Sequence, residues 1–484
     1  MVEPLCILGA ASQIRRRRLA PLELVERCLD QIRQYEDRIH AWVLVDEEGA
    51  RRTARELDRQ DWRGPLHGIP LGIKDIIDVE GFPTRAGSPL RADHLARADA
   101  PLVTALRAAG AIILGKTVTV EFACFDPSAT RNPWDPAFGR TGTPAQSRPA
   151  APTQTPRSAA APPATPRYTP GGSSSGSAAA VALGMCLGAI GTQTGGSLVR
   201  PASYCGVATC KPTFGRLDTE GIVPLSYHLD HPGPMARTVG GLQAILGCLL
   251  GAAPSRPVAP SSPPRLGCVE EFFMEQADEP IRAVTQSALA RLRRGGATIE
   301  PILCGVDFAE IGPLHRRIMA VEAAAYHRQQ FAAHRGSYGP LITALLDEGL
   351  RISAVDYAAA LAHQRRFRRH VDTLFASRAA DQRDHASHGA PSVPVDALVM
   401  PSTDATAPAT LATTGSPKFQ APWSYAGVPV VSIPCGLTGQ RLPAGLQFVG
   451  RRDQDAALLA TARWCEQRLA FAELPPLLGL NDLA

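Results

Sequence analysis

GGSSSGSAAAVALGMCLGAIGTQTGGS, from Gly171 to Ser197, decides how this chain is read. Two serine-bearing glycine loops, GGSSSGS (Gly171 to Ser177) and GTQTGGS (Gly191 to Ser197), flank a helix of small residues. Glycine lets backbones approach closely and leaves N–H groups uncovered. The run Thr194, Gly195, Gly196, Ser197 can therefore turn several N–H donors toward one developing oxyanion. Upstream, Lys74 sits in an apolar segment with Ile73, Ile76 and Ile77 around it. Two serine loops and a lysine in an apolar strand suit a hydrolase built on serine, serine and lysine.

Two other motifs compete. GAIILGKT, Gly110 to Thr117, formally matches a phosphate-binding loop, G-x-x-x-x-G-K-[ST]. Its four intervening positions, Ala111, Ile112, Ile113 and Leu114, want a buried strand instead of an open loop facing phosphate. GSSSG, Gly172 to Gly176, formally matches a nucleophile elbow centred on Ser174. That motif needs a strand immediately before it, and the proline-containing segment from Pro166 to Pro170 is a poor one. It also needs a histidine, and neither His228 nor His231 has a confirming context.

Working outward, Cys6 to Arg17 and Pro21 to Gln34 read as helices, the second with Leu22, Val25, Leu29 and Ile32 on one face. A strand-like run, Ile69 to Val79, precedes a helix near Ala100 to Ala109 and a strand at Ala111 to Leu114. Helical patterns dominate from Glu279 to about Phe375. Strand-like runs at Ala397 to Met400 and Pro429 to Ile433 then lead to a last helix, Asp455 to Leu469. Alternating helices and strands predict an α/β class, a central mixed sheet with helices on both faces. One domain over residues 1–484 is expected, with a helical segment at 1–60 and a variable helical substrate-side region at 265–395. Residues 138–167, crowded with Pro, Ala, Thr and Gly, read as a disordered insertion, and 253–264 and 381–394 as a linker and a loop.

The chain has 484 residues and a formal net charge of +5, too mild and scattered for a nucleic-acid binder. Eleven cysteines without a C-x-x-C pair suit a reducing cytoplasm and buried thiols. No charged-then-apolar stretch follows Met1, so a secretory signal is not expected, and the longest apolar run, Ala178 to Ile190, is shorter than the roughly 18–20 residues of a membrane span. Cytoplasmic localisation without membrane contact is the expectation. Only Lys74, Lys116, Lys211 and Lys418 are lysines, against 46 arginines. An arginine-rich codon usage explains the excess but not these four survivors.

Four blocks in order resemble the amidase signature family: GPLHGIPLGIKDIIDVEGFPTRAGS (Gly64 to Ser88), the central block Gly171 to Arg216, LDHPGPMARTV (Leu229 to Val239) and SYAGVPVVSIPCGL (Ser424 to Leu437). The resemblance covers nearly the whole chain and is weak between about Ala253 and Val395. It implies Ser197 as nucleophile, Ser173 as a bridging serine held by a cis peptide bond, and Lys74 as base. It implies an oxyanion hole of Thr194, Gly195 and Gly196 with the Ser197 N–H, and a hydrogen-bonding or turn-stabilising role for Ser174. The resemblance also implies a small-molecule amide substrate, no cofactor or metal, and room for a homodimer. Lys116 and Lys211 are expected to be supporting residues.

Departures matter. Many members carry Asp where this chain has Gln193 and Arg where it has Val199, so an internal Asp–Arg pair is missing. Arg200 resembles a subgroup's arginine, and Arg suits either binding a substrate carboxylate or bracing the loop. The amidating chain of glutamyl-tRNA amidotransferase shares the family but usually has the Asp and Arg forms, so a stand-alone amidase is the better reading. The match to the family breaks between Pro136 and Thr169, where members need only a few residues. That insertion is a lid, disorder or an artefact of the gene model. Were it to displace Gly171 to Ser174, the chain would be an inactive amidase-like scaffold.

Overall fold

The computed structural model describes residues 5–139, 168–251, 262–375 and 394–478. Of the stretch expected to be disordered, 138–167, all but the first two residues lie outside the described residues, as do most of the linker and nearly all of the 381–394 loop.

Short apolar runs bounded by glycine and proline become strands: β1 (Trp42–Val45), β2 (Pro70–Lys74), β3 (Ile112–Thr117), β4 (Gly188–Gln193), β5 (Ala208–Lys211), β6 (His231–Ala236), β7 (Arg265–Val269), β8 (Thr298–Ile302), β9 (Ala397–Pro401), β10 (Val430–Leu437) and β11 (Pro443–Val449). Among the described residues they form one sheet in the order β1-β3-β2-β4-β6-β5-β10-β11-β9-β7-β8. The sheet is mixed. β2 runs parallel to β3 and β4, and β7 parallel to β8 and β9. The centre, β4-β6-β5-β10-β11-β9, is antiparallel.

Both faces are covered, which is why most strands read as continuous apolar runs. Helices Ser175–Ala182 and Val199–Cys205 pack together against one part of the sheet. Helices Val239–Leu249, Glu279–Arg294 and Asp455–Leu469 form a second packed set. Between them Leu71, Ile73, Ile190, Met235, Val431 and Leu446 are fully buried.

Four expectations need adjustment. Ile69 to Val79 is strand only over Pro70–Lys74, because the backbone turns at Asp75 to Ile77. The second helix continues to Ile39, closed by His40 in the left-handed region. The N-terminal segment is not all helical, since β1 pairs antiparallel with β3. The 265–395 region likewise holds the strands β7 and β8. The phosphate-loop look-alike lies in and around β3, fully buried, as its aliphatic side chains demand.

Two buried lysines brace the sheet. Lys116 on β3 pairs with Asp75 at 3.1 Å, and both side chains are fully buried. Its Nζ also donates to the Pro83 carbonyl and Thr84 Oγ1, each at 3.1 Å. Burial pushes the Asp75 carboxyl up and the Lys116 ammonium down, each opposed by its partner. Removing one partner strands the other charge. Lys116→Ala should therefore cost about 3–5 kcal/mol of stability, read as a lowered midpoint in denaturant. An unchanged midpoint would contradict the pairing. Lys211 Nζ donates to the Val428 carbonyl at 2.6 Å and ties β5 to the segment before β10.

Candidate active site

The site forms where β2 and β4 end side by side. They run parallel, so Lys74, the last residue of β2, arrives beside the loop that leaves β4. Lys74 Nζ donates to Ser173 Oγ at 2.7 Å and to Thr192 Oγ1 at 2.8 Å. Its side chain is fully buried. Burial disfavours the charged form and lowers its pKa to about 7, with the Asp230 charge opposing. A lysine so placed is substantially neutral at neutral pH and can accept a proton.

Ser173 lies after a cis Gly172–Ser173 peptide bond. Gly171 precedes it at φ +79°, a left-handed conformation that favours glycine, and a Cβ there would crowd the Pro201 backbone. The loop is held from several sides. The Ser173 carbonyl accepts from the Val120 N–H at 3.3 Å, and the Ser174 N–H donates to the Ser197 carbonyl at 3.3 Å. Ser174 Oγ donates to the Thr192 carbonyl at 3.2 Å and accepts from the Thr192 N–H at 3.3 Å. Ser174 is completely buried and spends its hydroxyl on β4, so the elbow reading centred on it has no exposed nucleophile.

Ser197 follows Gly196 and heads helix Val199–Cys205. Ser173, Thr194, Gly195, Gly196 and Ser197 all line a cavity of about 280 Å³. A Cβ at Gly196 would meet the Gln420 side-chain oxygen, so a larger residue there requires the Gln420 amide to shift.

Gln193 accounts for the missing Asp–Arg pair. Its Oε1 accepts from the N–H groups of Leu198 at 2.9 Å and Val199 at 3.0 Å, capping the helix after Ser197. Its Nε2 donates to Ser424 Oγ at 3.0 Å, and Ser424 donates to the Gly195 carbonyl at 2.9 Å. Arg200 is buried and braces backbone. It donates to the carbonyls of Gly172 at 2.8 Å and Gly415 at 3.0 Å and to Thr414 Oγ1 at 3.1 Å. Of its two expected roles the bracing one is occupied.

Four further residues that no motif singled out join the site. Thr192 shares Lys74. Asp230 accepts from Thr194 Oγ1 at 2.5 Å and from the N–H groups of Leu225 at 2.8 Å and Ser226 at 3.0 Å. Burial raises its pKa to about 6 against those hydrogen bonds. His315, on helix Phe308–His334, donates from Nε2 to the Thr194 carbonyl at 2.9 Å, and burial holds its pKa near about 4, so it stays neutral. Ser424 completes the set. Asp230 and Ser424 lie inside family-like blocks, whereas His315 lies in the divergent region and gave no signal.

The insertion is closed at its base. Asn132 Nδ2 donates to the Thr169 carbonyl at 2.9 Å, and the Tyr168 N–H donates to Asp135 Oδ2 at 3.1 Å. The chain thus re-enters next to where it left, and residues 171–174 keep the contacts above. Among the described residues, no group of three or more His, Cys, Asp or Glu is placed to hold a metal ion. No helix among them is long and apolar enough to cross a membrane.

Known proteins resemble this chain over nearly its full length. An amidase of Pseudomonas putida is 32% identical over 98% of both chains. A chain of the glutamyl-tRNA(Gln) amidotransferase of Anaeromyxobacter sp. (strain K), the one designated A, is 31% identical, also over 98% of both. The peptide amidase of Stenotrophomonas maltophilia superposes with a TM-score of 0.74 at 27% identity, covering 97% of this chain and 98% of its own. The Amidase family profile matches residues 23–459. The chain therefore belongs to the amidase family and is a hydrolase acting on amide carbon–nitrogen bonds.

Proposed function

We propose that this chain is a stand-alone amidase that works through Lys74, Ser173 and Ser197. The observation that carries the proposal is the 2.7 Å hydrogen bond from Lys74 to Ser173, made at a cavity that Ser173 and Ser197 both line. A serine hydroxyl needs a neighbour to take its proton. Neutral Lys74 draws the Ser173 proton, and Ser173 draws that of Ser197. The Ser197 Oγ attacks the amide carbon, and the carbonyl π electrons move to oxygen. The N–H groups of Thr194, Gly195, Gly196 and Ser197 receive that oxyanion. On collapse the C–N bond breaks, and the proton held on Lys74 returns through Ser173 to the departing nitrogen. Water then cleaves the acyl-Ser197 ester by the same relay in reverse, giving acid and free enzyme. Asp230 and His315 act as positioning residues, fixing the Thr194 side chain and carbonyl.

The proton relay sets the pH dependence. Protonated Lys74 cannot accept, so kcat/KM should rise about tenfold per pH unit below about 7 and level off above it. The Asp230 charge holds the Lys74 pKa up. Asp230→Asn should therefore shift the acidic limb to lower pH while lowering kcat through the looser Thr194. A limb that stays in place would contradict the coupling.

The relative in Anaeromyxobacter favours one alternative, an amidotransferase chain that works with partner chains. The purified chain, given simple carboxamides without tRNA, nucleotide or partner, should release ammonia over many turnovers. Activity only with tRNA and added partner chains would favour the alternative. A folded chain with no activity under either condition would make it an inactive scaffold.

A further inference from the structure

The cavity at Ser197 carries information on the acyl group it receives, given the amidase reading. Val120, Phe125, Leu225, Met319, Pro417 and Ala421 form much of its wall. Among the described residues, its charged members are Arg200, Arg316 and Lys418, and no Asp or Glu lines it. These three cations are already engaged. Arg316 pairs with Glu348 at 2.7 Å and Lys418 with Asp404 at 3.1 Å. Both terminal nitrogens of Arg200 serve backbone carbonyls, and only its Nε lacks a partner.

We infer that the acyl half of the substrate is uncharged and mainly apolar, up to a phenylalkyl group in size. A cationic acyl chain would lose its water in an apolar space lined by no carboxylate, with Glu348 and Asp404 already held by Arg316 and Lys418. An anionic chain gains little, because a single Arg200 N–H cannot form the two-pronged contact that makes arginine a strong carboxylate receptor. An apolar chain gains from every buried methylene. Size agrees. A benzene-sized group fits a cavity of about 150 Å³, so about 280 Å³ leaves room for the carboxamide and a short spacer.

A matched set of primary carboxamides tests this. The set is 3-phenylpropanamide, hexanamide, the monoamide of adipic acid, and 6-aminohexanamide, with propanamide as the short reference. kcat/KM should rise about fourfold per methylene from propanamide to hexanamide and be highest for 3-phenylpropanamide. The carboxylate should sit at least about tenfold below hexanamide and the amine at least about a hundredfold below it. In Arg316→Gln/Lys418→Gln the ratio of hexanamide to 6-aminohexanamide rates should fall about tenfold. Both side chains are half-buried at the rim, and the ratio is internally controlled for folding and active fraction. The amine or the carboxylate matching hexanamide would overturn the inference, as would a flat series, and the amidase reading would survive if Ser197 still reacts with a serine-directed phosphonate. Absence of both phosphonate labelling and hydrolysis in folded protein would overturn that reading and this inference together.

Discussion

Lys74→Arg should be as inactive as Lys74→Ala, each losing about 10^2- to 10^4-fold in kcat, the range for a general base. Charge conservation offers no rescue because the step needs a neutral amine. Arginine holds its proton above about pH 12 and cannot accept another at any working pH. Its planar fork also does not replace a single Nζ lying 2.7 Å from Ser173 Oγ and 2.8 Å from Thr192 Oγ1. In the alanine variant the sheet loses packing, but among the described residues no ion pair to Lys74 is broken, and Asp230 keeps its own hydrogen bonds. Circular dichroism should therefore match the parent for Lys74→Ala. Partial activity in Lys74→Arg would mean that the lysine acts only as a fixed positive charge. Loss in both variants with rescue by an added small amine in Lys74→Ala would support the base role.

Ser197→Ala has the largest expected effect, a loss of about 10^4- to 10^6-fold, comparable with removal of the nucleophile in other serine hydrolases. The remaining N–H donors still bind the carbonyl, so substrate affinity should change little while kcat collapses. Ser173→Ala should be nearly as damaging, because it interrupts the path between Ser197 and Lys74. The two losses should not add in the double variant, since the residues act as one unit. Ser174→Ala separates this account from an elbow nucleophile. It removes a buried contact to Thr192, so it should lower stability and reduce activity, not eliminate it.

The parts legible in the sequence are those where residue type is dictated locally. The glycine loops, the apolar strands and the lone lysine in β2 each announce themselves, because backbone freedom, burial and pKa restrict what can stand there. β6 does not. Its sequence, HPGPMA, carries two prolines and argues against a central strand. It is tolerated because pairing with β5 is confined to Ala236 and Met235, leaving the proline half paired with β4 alone. Asp230 and His315 were illegible for another reason. Their roles depend on tertiary approach to Thr194 from the segment before β6 and from a long helix, and no local pattern encodes that meeting. Arg200 was half legible: the residue type allowed either a carboxylate or the backbone as partner, and packing against Gly172 and Gly415 chose the backbone.

The four lysines are now distinguishable. Lys74, Lys116 and Lys211 are fully buried, each with a compact amino group directed at two or three oxygens. A broader guanidinium would bring five donors into spaces with few acceptors. Lys418 stands at the cavity rim with Asp404. Drift toward arginine has spared positions where geometry or proton affinity is specific.

The central claim, that Ser197 is the nucleophile activated through Ser173 and Lys74, is most directly tested by labelling with a fluorophosphonate followed by peptide mapping. The account predicts one phosphonylated residue, Ser197, with labelling slowed in Lys74→Ala and absent in Ser197→Ala. Label on another residue, or none on a folded chain that still hydrolyses amides, would contradict it.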